Sequence, residues 1–400
     1  MGNFRWNYAA LIFLVVPCFF AWETIATRTE AEALLKWKSS LSICCGLSFP
    51  LKSWSLSNLT NICNWRGIVC NAGGAISEIN LPNADLSGTL HHLNFTSWTF
   101  RGNIPPQIGN LTELQHLDLS GIIFISGVIP HQIGNLRELQ YLDLNNNDMS
   151  GAIPHQLGNL RKVWFLDFGN NLMLDASDWS SKVKSFPMLR HFSFSGGELI
   201  SFPDFILCSR NLTYLDLSAI YMSGSIPESL FTDLKKLEYL DLSFNKFSGP
   251  LSPSINNLSN LKSLILSQNL FQGEIPYSIG QLKNLQVLDI SHNLLNSTIP
   301  SSLSSLIKLS KIKLSSNFIS GNISPHLISN WTKLTLLEIG GNSFNGSIPS
   351  EIGLLTNLES LSIYLGLRTL VDLSLCMMFM DLAEATTREW VVVTVTFPDL

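Results

Sequence analysis

The sequence predicts an α/β solenoid, and three observations predict it. An apolar triplet with the spacing L-x-x-L-x-L recurs along the chain, an asparagine follows most copies at a fixed distance, and a G-x-I-P segment follows many of those. The triplets run from Ile76-Ile79-Leu81 through Leu114-Leu117-Leu119, Leu139-Leu142-Leu144 and Val163-Leu166-Phe168 to Leu358-Leu361-Ile363. From Leu119 onward their third positions are 23 to 26 residues apart. A phase held for that long marks a repeat array, and it has to be read before any local motif.

Each piece of the unit has a physical reason. The alternation in L-x-L gives a short strand with one face inward. Asn147, Asn171, Asn245, Asn269, Asn293, Asn317 and Asn342 each sit three residues after the last apolar position. A buried asparagine needs partners, and stacked copies can bond the backbone of neighbouring turns at a tight bend. In Gly151-Ala152-Ile153-Pro154 and Gly273-Glu274-Ile275-Pro276 the glycine permits a turn, the isoleucine points inward and the proline suits an extended outer segment. One unit cannot bury its apolar face alone, whereas stacking makes a continuous core.

At the N-terminus one positive charge precedes a short apolar run, "YAALIFLVVPCFF", and "AWETIA" ends on a small residue. This is a secretory signal-peptide layout with cleavage expected after Ala26. The apolar run Leu373–Met380 is too short to span a membrane. A net charge of −5 with only 14% charged residues argues against a nucleic-acid or anionic-membrane partner. In an oxidising compartment Cys63 and Cys70 are close enough to staple one loop. The pairing of Cys44, Cys45, Cys208 and Cys376 stays open. Cys208 aligns with Asn110 on the non-strand side, where a small buried cysteine is expected. No Cys/His cluster suggests a metal, and no cofactor is implied.

The repeat, with "EALLKWKSSL" and "SWSLSNLTNICNWRGIVC" before it, resembles the ectodomains of plant leucine-rich-repeat receptor-like kinases and receptor-like proteins. The resemblance implies a right-handed superhelix with a concave parallel β-sheet, an irregular or 3-10 outer side and a helical N-terminal cap. Residues 1–26 are then the signal peptide, 27–74 the cap, 75–365 about 12 repeats, and 366–400 a non-repeat tail. Thr29-x-x-Glu32 fits a helix capping box in that cap. The resemblance further implies an extracellular or cell-surface protein, in signalling or defence. It would bind a peptide or protein ligand and pair with a co-receptor kinase of the same class. The alternative is a stand-alone secreted protein, an inhibitor of cell-wall hydrolases or a decoy. Such inhibitors usually close with a cysteine-rich cap, which this sequence lacks. Departures from the pattern are local. Leu81 and Leu119 are 38 residues apart, about ten short of two repeats, so one unit near 90–105 is incomplete. Strand 79–81 should then pair directly with 117–119 while residues 90–105 loop out. Residues 172–188 and 195–206 lack G-x-I-P.

Asp167-Phe168-Gly169 spells the magnesium-binding tripeptide of protein kinases, but its phase makes it a repeat strand. No "HRD" accompanies it, and no nucleophile–base pair stands apart from the repeat, so no enzyme is expected. The residue before the second apolar position reads His116, Tyr141, Phe165, His191, Tyr214 and Tyr239 in successive copies. Such an aromatic column can grip an extended peptide. Lys311 and Lys313 flank Ile312 on one strand and could clamp a carboxylate. Sequons at Asn58, Asn94, Asn110, Asn211, Asn257, Asn296, Asn322, Asn330 and Asn345 all fall outside the exposed strand positions, which leaves that face open.

Overall fold

The computed structural model describes residues 30–38, 42–43, 53–55, 57, 62–80, 100–101, 103–121, 125–199, 201–345, 348–363 and 392–394. The signal peptide, Asn58, Asn94, Cys44, Cys45, Cys376 and most of the incomplete repeat lie outside them. The chain divides into two compact units, Met1–Met188 and Leu189–Leu400.

The first unit opens with a helix over 30–38 and an antiparallel pair, Ile68–Cys70 with Ile76–Asn80. Cys63 and Cys70 form a disulfide. Trp37, Trp54 and Trp65 pack together behind it, with ring centroids 5.9 and 5.7 Å apart. The Trp54 indole N–H donates to the Arg66 carbonyl at 3.0 Å, which satisfies its one polar atom. Strand Ile76–Asn80 then pairs directly and in parallel with His116–Asp118, setting Ile79 opposite Leu117. The missing repeat is therefore bridged by direct pairing, because an open sheet edge at that point would strand backbone groups. Phe100–Arg101, in the intervening segment, pairs instead with Ser42–Ile43. The sheet continues through Tyr141–Asp143 and Phe165–Asp167.

The second unit repeats this arrangement. His191–Ser193, Tyr214–Asp216, Tyr239–Asp241, Ser263–Ile265, Val287–Asp289, Lys311–Lys313, Leu336–Glu338 and Ser360–Ser362 pair in order, all parallel. Val392–Thr394, from the non-repeat tail, pairs with Ser360–Ser362 and adds one more strand.

The inward residues of each strand are fully buried, as at Leu240, Leu264 and Leu288. Each such side chain contributes about 1.5–3 kcal/mol by burial. Beyond the strand, the ladder asparagine closes the bend. Asn269 Nδ2 donates to the carbonyls of Leu242 in the preceding turn (2.9 Å) and of Leu266 and Ser267 in its own (both 3.2 Å). Its Oδ1 accepts from the Phe247 N–H at 2.9 Å. Asn171, Asn245, Asn293 and Asn317 repeat this pattern. The bend also holds non-glycine residues at positive φ, such as Phe244 (54°) and His292 (52°), a conformation that needs outside support.

The G-x-I-P glycines adopt the positive φ the turn requires, 80° at Gly151 and 81° at Gly273. The proline is extended and leads into an outer 3-10 turn, as in Pro154 before His155–Asn159. A second glycine in that turn is needed for close approach. A Cβ at Gly280 would lie 2.4 Å from the Ser302 carbonyl oxygen of the next turn. In residues 172–188 and 195–206, which lack G-x-I-P, short α-helices begin instead. Trp179–Lys182 inserts Trp179 into the core, and its indole N–H donates to the Ile153 carbonyl at 3.0 Å. Trp331 does the same to Leu303 at 3.1 Å. The outer side is thus mixed 3-10 and α, with further helices at Asp204–Leu207, Glu228–Asp233 and Pro325–Asn330.

Two predictions follow from this architecture. Asn269→Ala leaves several buried backbone groups unpaired and should cost at least about 2 kcal/mol in denaturant unfolding. Asn147→Ala should cost less, because Asn147 Oδ1 has no hydrogen-bond partner among the described residues. Equal losses would remove the ladder argument. The second concerns Glu30, which is 5% exposed and accepts a long bond, 3.4 Å, from the Ile76 N–H. Burial first, opposed by that bond and reinforced by Glu113, pushes its carboxyl up to about 7. The folded state therefore prefers the neutral acid. That stabilisation is complete below the ordinary value of 4.5 and is lost as pH rises through about 7. At about 1.4 kcal/mol per pH unit the effect is bounded near ~3 kcal/mol. Glu30→Gln should raise the melting temperature at pH 8 and leave it unchanged at pH 4. A wild-type-minus-variant difference that stays flat with pH would refute this.

Candidate ligand-binding strand face

In the first unit His116, Tyr141 and Phe165 lie opposite one another on paired strands. Their rings stack at centroid distances of 4.0 and 4.1 Å, with planes within 4° and 13°. In the second unit His191, Tyr214 and Tyr239 stack likewise at 4.1 and 4.2 Å. Strands spaced by about 4.8 Å bring identical rotamers into face-to-face contact. Both faces of Tyr141 and of Tyr214 are therefore taken up by their neighbours, and each stack offers a ligand a ridge of edges and hydroxyls. The second-unit column continues as Ser263, Val287, Lys311, Leu336 and Ser360.

Beside each stack runs a row of aspartates with a structural duty. One carboxylate oxygen of Asp118, Asp143, Asp167, Asp216, Asp241 and Asp289 accepts from the backbone N–H two residues on, at 2.8–3.1 Å. This fixes the bend leaving the strand. The kinase-like tripeptide is explained here: Asp167 holds the Gly169 N–H, and Phe168 is core. The other oxygen of Asp143 accepts from the Tyr141 hydroxyl at 3.1 Å, and that of Asp241 from Tyr239 at 3.2 Å. Burial, with Asp167 and Asp118 alongside, pushes the Asp143 carboxyl up to about 6 even though the Asn145 N–H and Tyr141 hydrogen bonds oppose it. Burial also raises Asp241. Tyr141 and Tyr239 are held well above the ordinary phenol range by burial and by the adjacent aspartates.

Comparison with known proteins fits this geometry. The family described as leucine-rich repeat region matches residues 240–384, leucine rich repeat N-terminal domain matches 28–71, and leucine rich repeat matches 138–160. The chain is a leucine-rich-repeat protein. Over 120 residues it is 37% identical to the leucine-rich repeat receptor-like serine/threonine-protein kinase RGI4 of Arabidopsis thaliana, covering 27% of this chain and 10% of the relative. Among solved structures it is similar to the PEPR1–AtPEP1 complex at 30% identity, with a TM-score of 0.64 over 84% of this chain and 49% of that one. It is also similar to the peptide hormone receptor RGFR1 in complex with RGF2, at 32% identity with a TM-score of 0.58, over 76% of this chain and 53% of that one. The chain thus spans about half the length of these receptors and a tenth of the kinase.

Within the leucine-rich-repeat frame the lysine pair divides. Lys311 is exposed, whereas Lys313 pairs with Glu338 at 3.3 Å and stands opposite Asp289 on its other side. A two-lysine clamp is thereby reduced to Lys311, because Lys313 is already engaged within the repeat array. Seven of the nine sequons are described. Asn110 and Asn257 end outer 3-10 turns, Asn330 ends an outer helix, and Asn211, Asn296, Asn322 and Asn345 lie outside the sheet of strand triplets. Cys208 is exposed, contrary to the expected burial, because the neighbouring Ser209 takes the inward position and its hydroxyl donates to the Phe205 carbonyl at 2.6 Å. The sequence reading overlooked Trp164, which stands beside Tyr141 and Phe165 at 5.8 Å from each. Its place one residue before the aromatic column was the available signal. No helix among the described residues is long and apolar enough to cross a membrane.

The Lys313–Glu338 pair is a quarter to a third exposed, so a double-mutant cycle on unfolding should give a coupling of about 0.2–1 kcal/mol. A coupling indistinguishable from zero would return Lys313 to the ligand-binding candidates.

Proposed function

We propose that this chain is the ligand-sensing part of an extracellular plant receptor, a receptor-like kinase or receptor-like protein. Residues 1–26 would direct it into the secretory pathway and be removed. Its strand face would take an extended peptide or protein segment, after which a co-receptor kinase of the same repeat class would join. One observation carries the reading: two similar solved structures, at 30% and 32% identity, are a complex named for AtPEP1 and a peptide hormone receptor bound to RGF2. Two features of the strand face support it. The stacks and Lys311 share outward positions on the strands, and the described sequons lie elsewhere. In the second unit Tyr239 and Lys311 lie three strands apart in one column, about 14 Å. Four or five extended residues at about 3.3 Å each bridge that interval. Sequons would make the protein a glycoprotein with carbohydrate on the outer and lateral faces.

The test is selection of binders to the secreted chain from a random dodecapeptide library, followed by calorimetry on the best synthetic peptide. Tyr239→Ala should weaken it about tenfold, in keeping with aromatic hot spots. Lys311→Ala should weaken the free-acid peptide and leave its C-terminal amide unchanged. If no peptide is selected, or if both variants bind as wild type does, the strand face is not the ligand surface.

A further inference from the structure

The strand face of the first unit differs in charge from that of the second. Outward positions there are Ser77 and Glu78, then Gln115, His116 and Asp118, then Gln140, Tyr141 and Asp143, and finally Trp164, Phe165 and Asp167. They hold four carboxylates and no lysine or arginine. Asp118, Asp143 and Asp167 are opposite one another on adjacent strands. Like charges in that relation destabilise a sheet. In the second unit the same row also sets Asp216 opposite Asp241, but it goes on to place a cation, Lys313, between Asp289 and Glu338.

Aromatic geometry adds an independent constraint. Tyr141 has His116 stacked on one face and Phe165 on the other. Trp164 stands at 65° to Tyr141 and 77° to Phe165. With both faces of Tyr141 occupied, Trp164 stands against the side of the stack, its plane steeply inclined to both rings. Trp164 itself remains 39% exposed. An indole face is the best aromatic partner for a cation. Asp118 and Asp143 are buried beneath the ring edges, at 8% and 5% exposed, so their charge acts as a focused field more than by contact.

We propose that this face, with Trp164 as platform and Glu78, Asp118 and Asp143 as counter-charge, takes an arginine- or lysine-bearing segment of the peptide ligand. The inference rests on the peptide-binding reading above and adds the chemistry of one ligand segment. The Arg or Lys side chain lies against the exposed indole of Trp164, and its stem covers the edges of Tyr141 and Phe165. A cationic segment is the electrostatic complement of Glu78, Asp118 and Asp143. The groups around Asp143 are Asp118, Asp167, Tyr141 and His116, with Glu78 one strand further. Its carboxyl, held near 6 by burial and like charge, would be drawn down by an arriving cation, so binding releases a proton and tightens as pH rises from 5 to 7.

The library selection with the full secreted chain decides the matter. Selected dodecapeptides should be enriched in Arg and Lys about threefold over the input. Replacing the critical Arg of the best peptide by citrulline, which removes the charge and keeps the shape, should weaken binding to the wild-type chain about tenfold. Trp164→Ala should weaken the Arg peptide similarly and the citrulline peptide little, while Trp164→Phe restores part of the loss. The citrulline comparison uses wild-type protein, so it stands even if Trp164→Ala folds poorly. Selected peptides that are neutral or acidic, yet still weakened by Tyr239→Ala, would overturn this inference and leave the proposed function intact. Equal affinity for the Arg and citrulline peptides would also overturn it. Absence of any selected peptide would end both.

Discussion

The buried asparagine ladder is the interaction on which the rest of each unit depends. Every turn of a repeat array must bend sharply after its strand, and a bend leaves carbonyls pointing away from any sheet partner. The side-chain amide of Asn269 takes up three such carbonyls and offers its oxygen to the N–H of Phe247 in the preceding turn. It thus joins two turns at the bend alongside backbone bonds such as that from the Phe244 N–H to the Ser267 carbonyl, taking up groups those bonds leave over. A carboxylate in its place would lack donors, and an apolar residue would leave the carbonyls orphaned in the core. Once the bend is fixed, a residue such as Phe244 or His292 can hold a positive φ there, since the turn on either side leaves no alternative.

From that bend the other features follow by distance. A fixed turn length puts successive strands in register, and register puts identical side-chain positions one strand spacing apart. The same repetition serves opposite ends in different columns. Leu240, Leu264 and Leu288 become a continuous apolar row. Tyr214 and Tyr239 become a ring stack. Asp118, Asp143 and Asp167 become a row of like charge that a monomeric turn would not assemble. The aspartates persist in that row because each also holds the N–H of the turn behind it. Structural need and electrostatic tension are therefore built into the same residue, and the strand face inherits a field from the demands of the backbone.

Departures from the repeat are repaired by tertiary means. Direct pairing of Ile76–Asn80 with His116–Asp118 closes the sheet across an incomplete unit. Trp179 and Trp331 fill the core from short helices and return their indole N–H groups to the preceding turn. Trp179 lies in one of the segments that lack G-x-I-P. At Trp179 the array thus gives up its standard outer turn and keeps its stacking, because a large apolar side chain with one well-aimed donor is available.

How much was legible in the sequence divides along the range of the interaction. The solenoid, the turn length, the ladder asparagines and the turn glycines were all readable, because they express local backbone needs that recur with a period. The kinase-like Asp167-Phe168-Gly169 could be dismissed on phase alone. The aromatic column was also legible as a register, from His116 to Tyr239. The sequence could not say that those rings spend their faces on one another, that Lys313 is engaged by Glu338, that Ser209 and not Cys208 points inward, or that Trp164 stays partly exposed beside the stack. Each of these depends on a neighbour about 24 residues away in sequence and about 4.8 Å away in space, so one-dimensional spacing places the residue and only the packed turns decide which of its atoms remain exposed.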